Sequence, residues 1–106
     1  MATTVDELTV TYLEDGKEVT KELDKVVLSK GAWSTIIYKF VTWDNKKSAY
    51  GTPKYTIRRY QKRNGEYQLK SRFNISSNDQ AQKIIEVLNK WVEQSDHDGV
   101  EEDADE

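Results

Sequence analysis

The sequence predicts an α+β domain: an antiparallel β-sheet of about four to five strands followed by one C-terminal amphipathic helix. Three observations carry this. Two dipeptides that favour tight hairpins, Asp15-Gly16 and Asn64-Gly65, lie between alternating segments. The first two thirds of the chain is rich in β-branched and aromatic runs, and after Ser77 the apolar residues change to a spacing of three and four.

Residues 7–23 read as a hairpin, in which Leu8, Val10 and Tyr12 alternate with Thr9, Thr11 and Leu13 before the Asp-Gly turn. The return strand, Glu18 to Leu23, is short and charged, which suits a sheet edge, and a further short strand fits Val26 to Leu28. Trp33 to Trp43 reads as one long strand, with Ile36, Tyr38, Phe40 and Thr42 on one face and Ile37, Lys39, Val41 and Trp43 on the other. Asp44 to Thr52 is the longest internal loop. Lys54 to Lys62 alternates again, Asn64-Gly65 turns the chain, and the last strand sets Tyr67, Leu69, Ser71, Phe73 and Ile75 against Gln68, Lys70, Arg72 and Asn74. Ser77 to Gln80 is a capping box that opens the helix. Ala81, Ile84, Ile85, Leu88, Trp91 and Val92 then form an apolar face broad for so small a sheet, so Ile84, Ile85, Leu88 and Trp91 are expected to meet a second copy of the chain. The domain is expected to span residues 1–94. Residues 95–106 are expected to be a disordered acidic tail, since like charges repel and little there can be buried.

With 106 residues there is room for one small core. The absence of cysteine removes disulfides, thiolate nucleophiles and thiolate zinc sites, and suits a reducing compartment. No run approaches the length of a membrane span and the N-terminus has no signal-peptide pattern, so a soluble, intracellular protein without membrane partners is expected. The single histidine, His97, has no second ligand nearby, and neither a phosphate loop nor a nucleophile elbow is present. The expectation is a non-enzyme without metal or cofactor.

The net charge of -3 hides a partition. Residues 39–72 carry ten basic side chains against Asp44 and Glu66, a net of +8, whereas the twelve residues from Ser95 carry seven acids and neither Lys nor Arg. Period two puts Lys54, Arg58, Tyr60 and Lys62 on one side of a strand, and the Asn-Gly hairpin couples it to the strand bearing Lys70 and Arg72; Lys39 and Trp43 are expected to complete the surface. Cations neutralise phosphates and exposed rings stack on unpaired bases, which points to single-stranded nucleic acid, with Trp43 and Tyr60 as the stacking rings. Trp33, Tyr38 and Phe40 are assigned to core or sheet-edge packing, and Tyr55, Tyr67 and Phe73 to the core. A charged face is otherwise simply a solvated one. The rival function is a protein-interaction module whose basic face docks an acidic polypeptide. The acidic tail is expected to compete with phosphate for the sheet cations or to recruit a basic protein.

Tyr55-Thr56-Ile57-Arg58-Arg59-Tyr60, the Asn64-Gly65-Glu66 turn, Lys70-Ser71-Arg72-Phe73-Asn74-Ile75-Ser76 and the helix after them resemble the Positive Cofactor Four family of transcriptional coactivators and bacterial single-strand-binding proteins. Trp33, Trp43 and Pro53-Lys54-Tyr55 look similar to its short bacterial branch, and the resemblance covers residues 26–92. It implies a curved four-stranded sheet and a homodimer packed through its helices, with single strands of DNA, or of RNA, held in grooves of the sheets during transcription, replication or repair. Carried over by position, Arg58 and Tyr60 match the Ile-Arg-x-aromatic motif, Trp43 the strand tryptophan, and Lys70 and Arg72 the basic segment before the helix.

Overall fold

The structure is a computed structural model and describes residues 2–98. Six antiparallel strands, β1 (Tyr12–Glu14), β2 (Lys17–Ser29), β3 (Trp33–Asp44), β4 (Ala49–Tyr50), β5 (Lys54–Arg63) and β6 (Glu66–Ile75), precede one helix, α1 (Asn78–Asp98). The strand order is β1-β2-β3-β5-β6, with β4 paired to β3 alone, so the α+β class expected from the sequence holds. Both hairpin turns form as their chemistry dictates: Asp15 and Gly16 have φ of 52° and 80°, Asn64 and Gly65 of 53° and 79°. Two consecutive residues with positive φ match the right-handed twist of the strands they join.

Two elements differ from expectation. The charged return strand and the short strand after it are one thirteen-residue strand, β2, that lies inside the sheet between β1 and β3. The segment expected as a long loop folds into a hairpin in which Trp43 pairs with Tyr50. Asp44 Oδ1 accepts from the amides of Lys46 (2.9 Å) and Lys47 (3.4 Å), and Gly51 N donates to Thr42 O at 3.0 Å. The aspartate organises the turn locally, and such a signal is weak beside Asn-Gly.

Pairing shifts register at four places, between Tyr12 and Leu13, between Glu22 and Asp24, between Val27 and Ser29, and opposite Arg59/Tyr60, where Lys70 is the extra residue. Bulges raise the local twist, and the sheet curls. The bulge at Lys70 also breaks the alternation expected of the last strand. Tyr60 pairs with Leu69 and Lys62 with Tyr67, while Arg58 pairs with Arg72 and Thr56 with Asn74. Tyr67 and Leu69 therefore share a face with Arg72 and Asn74, opposite to Phe73 and Ile75.

Residues 2–11 form an arm across the first of these faces. Tyr67 N donates to Ala2 O at 2.9 Å over β6, and Lys25 Nζ donates to Val5 O (2.6 Å) and Leu8 O (2.7 Å) over β2. Val5, Leu8 and Val10 are buried with Ile36, Tyr38 and Tyr60, and Ala2, Phe40 and Tyr67 pack around them. The hairpin strand expected from residue 7 accordingly begins only at Tyr12. The alternation of Leu8 and Val10 with Thr9 reflects which side of an extended segment lies on the sheet. A single 3-10 turn (Val5–Glu7) bends the arm, with Glu7 Oε1 accepting from Thr3 N (2.7 Å) and Thr4 N (3.0 Å).

On the opposite face the register builds an apolar row across four strands, Val26–Ile37–Ile57–Phe73. The helix leaves from this side. Ser77 Oγ accepts from Gln80 N (3.1 Å), Gln80 Oε1 accepts from Ser76 N (3.0 Å), and Tyr55 OH donates to Asn78 Oδ1 (2.7 Å). Beyond its first turn the helix stands off the sheet: the radius of gyration is 16.5 Å, against about 13 Å for a compact chain of 100 residues. Ile85, Leu88, Trp91 and Val92 remain half or more exposed, and Ile84 is half-buried. α1 reaches Asp98, four residues past the expected boundary at Gln94, and the rest of the expected disordered tail lies outside the described residues. Among the described residues no helix is long and apolar enough to cross a membrane.

Candidate nucleic-acid interface

The positions picked from the sequence are divided by the register. Lys54, Arg58, Tyr60 and Lys62 do share one face of β5, the one the arm lies on, and the bulge keeps Arg72 on it. Lys39 pairs with Tyr55, whereas Arg58 pairs with Ile36, so Lys39 lies on the helix side and does not complete the same surface. Trp43 falls on that side too, by the alternation of β3. Strand parity fixes which residues of one strand share a face, but the register between strands decides which faces join.

Tyr60 is not available for stacking. Its ring is buried in the core beneath the arm, 4% exposed, and its hydroxyl lies 3.0 Å from that of Tyr38. Burial, and then the bond to Tyr60, pushes the Tyr38 phenol far above its usual range, so Tyr38 stays neutral at any physiological pH. Trp43 is half-buried within a cluster of its own. Lys17 Nζ sits 3.5 Å from its ring centroid, Tyr50 packs edge-on at 5.1 Å, and the indole nitrogen donates to Asn45 Oδ1 at 2.9 Å. Tyr50 OH donates to Glu18 O at 2.7 Å, which ties the β3–β4 hairpin to β2. The cationic segment is thus spread over both faces, with Arg59 against Trp33 on the helix side and Lys62 near Tyr67 on the arm side.

What the arm face does assemble is a groove of about 530 Å³ beside the arm. Its floor comprises two adjacent cross-strand pairs, Thr56 with Asn74 and Arg58 with Arg72. Phe40, Thr20 and the run Thr9–Tyr12, in which Tyr12 pairs with Thr20, line the rest of it. Thr56 Oγ1 donates to Asn74 Oδ1 at 2.7 Å, so the Asn74 carbonyl is taken and its amide NH2 is left as a donor. Arg58 Nε is buried without a hydrogen-bond partner among the described residues. Leaving such a donor unmade costs about 1–3 kcal/mol. Two guanidiniums and an amide NH2 make the floor rich in donors, which is suited to anionic oxygens, and Phe40 and Tyr12 set rings at its margin. The volume is within the range of about 300–1,000 Å³ usual for small-ligand sites.

Sequence reasoning misses Phe40, Tyr12, Thr9, Thr11 and Asn74. It places Tyr12 only in a hairpin and Phe40 in core or sheet-edge packing, and nothing in the sequence locates the arm on the β5–β6 side of the sheet. Lys70, the bulged residue, is exposed at the outer strand. Of the expected interface set on the helix, Ile84, Leu88 and Trp91 line up with Val87 along an open apolar surface, whereas Ile85 faces a hollow shared with Ile37, Tyr55 and Ile75 of the sheet. Comparison of the chain with family models, with curated proteins and with solved structures finds no match.

Proposed function

We infer that this protein binds single-stranded nucleic acid, DNA or RNA, without strong sequence preference, through the groove on the arm face. The observation that carries the reading is the pairing of Arg58 with Arg72 across β5 and β6 at the floor of a groove flanked by aromatic rings. Guanidinium forks match phosphate oxygens, and bases that are already unpaired can reach a ring on a sheet whereas those of a duplex cannot. Lys54 and Lys62 extend the cationic track along β5. The resemblance to the Positive Cofactor Four family supports the same function and a role in transcription, replication or repair.

The reading includes a second copy of the chain. Val26 and Phe73 on the sheet and Ile85, Leu88, Trp91 and Val92 on the helix are each about half exposed or more, all on one side of the molecule. A patch of that character is self-complementary in a two-fold dimer and is a liability on a lone protomer. Such a dimer leaves both grooves facing outward.

Titration of the full chain with labelled oligonucleotides tests the function. Single strands should bind with a log-log salt slope of about -0.7 per phosphate neutralised, and duplex weakly. Arg72→Gln should lower affinity and reduce the slope by about one such increment. Binding that ignores salt, or polyglutamate binding as tightly as the oligonucleotide, would overturn the reading; the latter would favour the rival protein-docking module.

A further inference from the structure

The wall of the groove belongs to a segment to which the sequence pattern assigns no part in binding. Thr9–Tyr12 joins the buried part of the arm to β1 and faces Arg58, Arg72 and Asn74 across the groove. It is held rigidly from both ends. Upstream, Val5 and Leu8 are buried and Lys25 Nζ bonds their carbonyls, and Val10 of the wall itself is buried. Within the wall, Thr9 Oγ1 donates to Glu22 Oε1 (2.6 Å) and accepts from Thr11 N (3.1 Å), and Thr11 Oγ1 accepts from Glu22 N (3.2 Å). The two threonines therefore hook the wall onto β2, Thr11 through the Glu22 amide and Thr9 through the carboxylate of Glu22, an acid on the cationic face. Tyr12, at the end of this rigid run, keeps 61% of its surface exposed while lining the groove. An edge strand of three residues gains little from an exposed aromatic ring, and charged residues protect such an edge better.

We propose that the arm is part of the binding site, with Tyr12 the stacking platform for a base whose neighbouring phosphodiester is bridged by Arg58 and Arg72. The proposal rests on the single-strand-binding function above and assigns to Tyr12 the role that the sequence suggested for Tyr60. The ligand is one nucleotide unit of a longer strand. Its phosphate meets the donor-rich floor and its base meets the ring on the wall. Because the wall is hooked to β2 before any strand arrives, little ordering opposes binding, and the groove is preorganised. A free phosphate shares the floor chemistry but gains nothing from Tyr12.

The test is fluorescence anisotropy of a labelled oligothymidylate with the full chain, Tyr12→Ala, Tyr12→Phe, Leu13→Ala and Arg72→Gln, each also melted. Tyr12→Ala should weaken binding by about 5- to 160-fold, the loss of one base stack. Tyr12→Phe should bind within about twofold of the parent, since the ring and not its hydroxyl does the stacking. Leu13 is similarly exposed beside it, so Leu13→Ala should bind as the parent does. All melting temperatures should stay close to that of the parent. The effects of Tyr12→Ala and Arg72→Gln should be non-additive, because both groups hold one nucleotide. If the parent binds, Arg72→Gln weakens it and Tyr12→Ala does not, the arm is only a structural strap and the proposal falls while the function stands. Inorganic phosphate that displaces the oligonucleotide at equal phosphate concentration would also overturn it, leaving an anion pocket without a base platform. A parent that fails to bind any single strand removes both.

Discussion

The two faces of this sheet are built from the same strands yet are finished in opposite ways. The arm face is closed by its own chain: Val5, Leu8 and Val10 cover Ile36, Tyr38 and Tyr60, and what stays open is polar and cationic. The helix face has an apolar row of its own, but α1 meets the sheet only near its first turn and leaves Phe73 and Val26 about half exposed. Ten residues of arm satisfy one face, while a helix of twenty-one residues does not satisfy the other. The difference teaches that length and amphipathicity do not decide coverage. The arm lies flat on the sheet because lysine and backbone bonds pin it at both ends, whereas the helix is tied by a cap and one tyrosine and projects away.

The comparison breaks most readily at the helix. If a second copy covers it, Leu88→Asp buries an unpaired charge and should dissociate the dimer at a cost of several kcal/mol, read as a halved mass by light scattering. A parent protein that is monomeric at micromolar concentration would remove the asymmetry's explanation. Deep in the other face, Ile36→Ala should lower unfolding free energy by about 2–5 kcal/mol in a denaturant titration, because Ile36 has no exposed surface and its site is walled by the arm. Phe73→Ala should destabilise a dilute, dissociated protein far less.

A smaller effect sharpens the reading of the tyrosine pair. Tyr60→Phe removes one hydroxyl and leaves that of Tyr38 buried without its partner, so about 1–3 kcal/mol of stability should be lost with oligonucleotide affinity unchanged. An equal loss of affinity would return Tyr60 to the binding site. The smallest effect is at the bend of the arm. Hydrogen bonds from the backbone and side chain of Thr3, then from Thr4, hold the Glu7 carboxyl below its usual value of 4.5. A lowered folded-state pKa means that the contribution is complete above 4.5 and is lost as pH falls through the lowered value. Acidification should therefore loosen the arm first, visible as a smaller protection factor of the Leu8 amide against exchange, taken relative to the unfolded chain at the same pH, and Glu7→Gln should abolish that pH dependence.

Much of this molecule is set by short-range chemistry, and that part is legible in the sequence. Asp15-Gly16 and Asn64-Gly65 turn the chain because those residues tolerate positive φ, Ser77 and Gln80 cap the helix because their side chains reach nearby amides, and period two sorts β3 and β5 into faces. The hairpin also couples the strands of Arg58 and Arg72, but the register set by the turn would place Ser71 opposite Arg58, and the bulge at Lys70 is what makes Arg72 its partner. The rest depends on contacts distant in sequence. Only the pairing of β3 with β5 puts Lys39 and Trp43 on the side away from Arg58, and only the bulge at Lys70 brings Arg72 and Asn74 round to the arm face with Tyr67 and Leu69. Only the path of residues 2–11 buries Tyr60 and raises Tyr12 beside the groove. Local propensity is written residue by residue, but which face an arm covers is a free-energy comparison over the whole sheet, and that is decided in three dimensions.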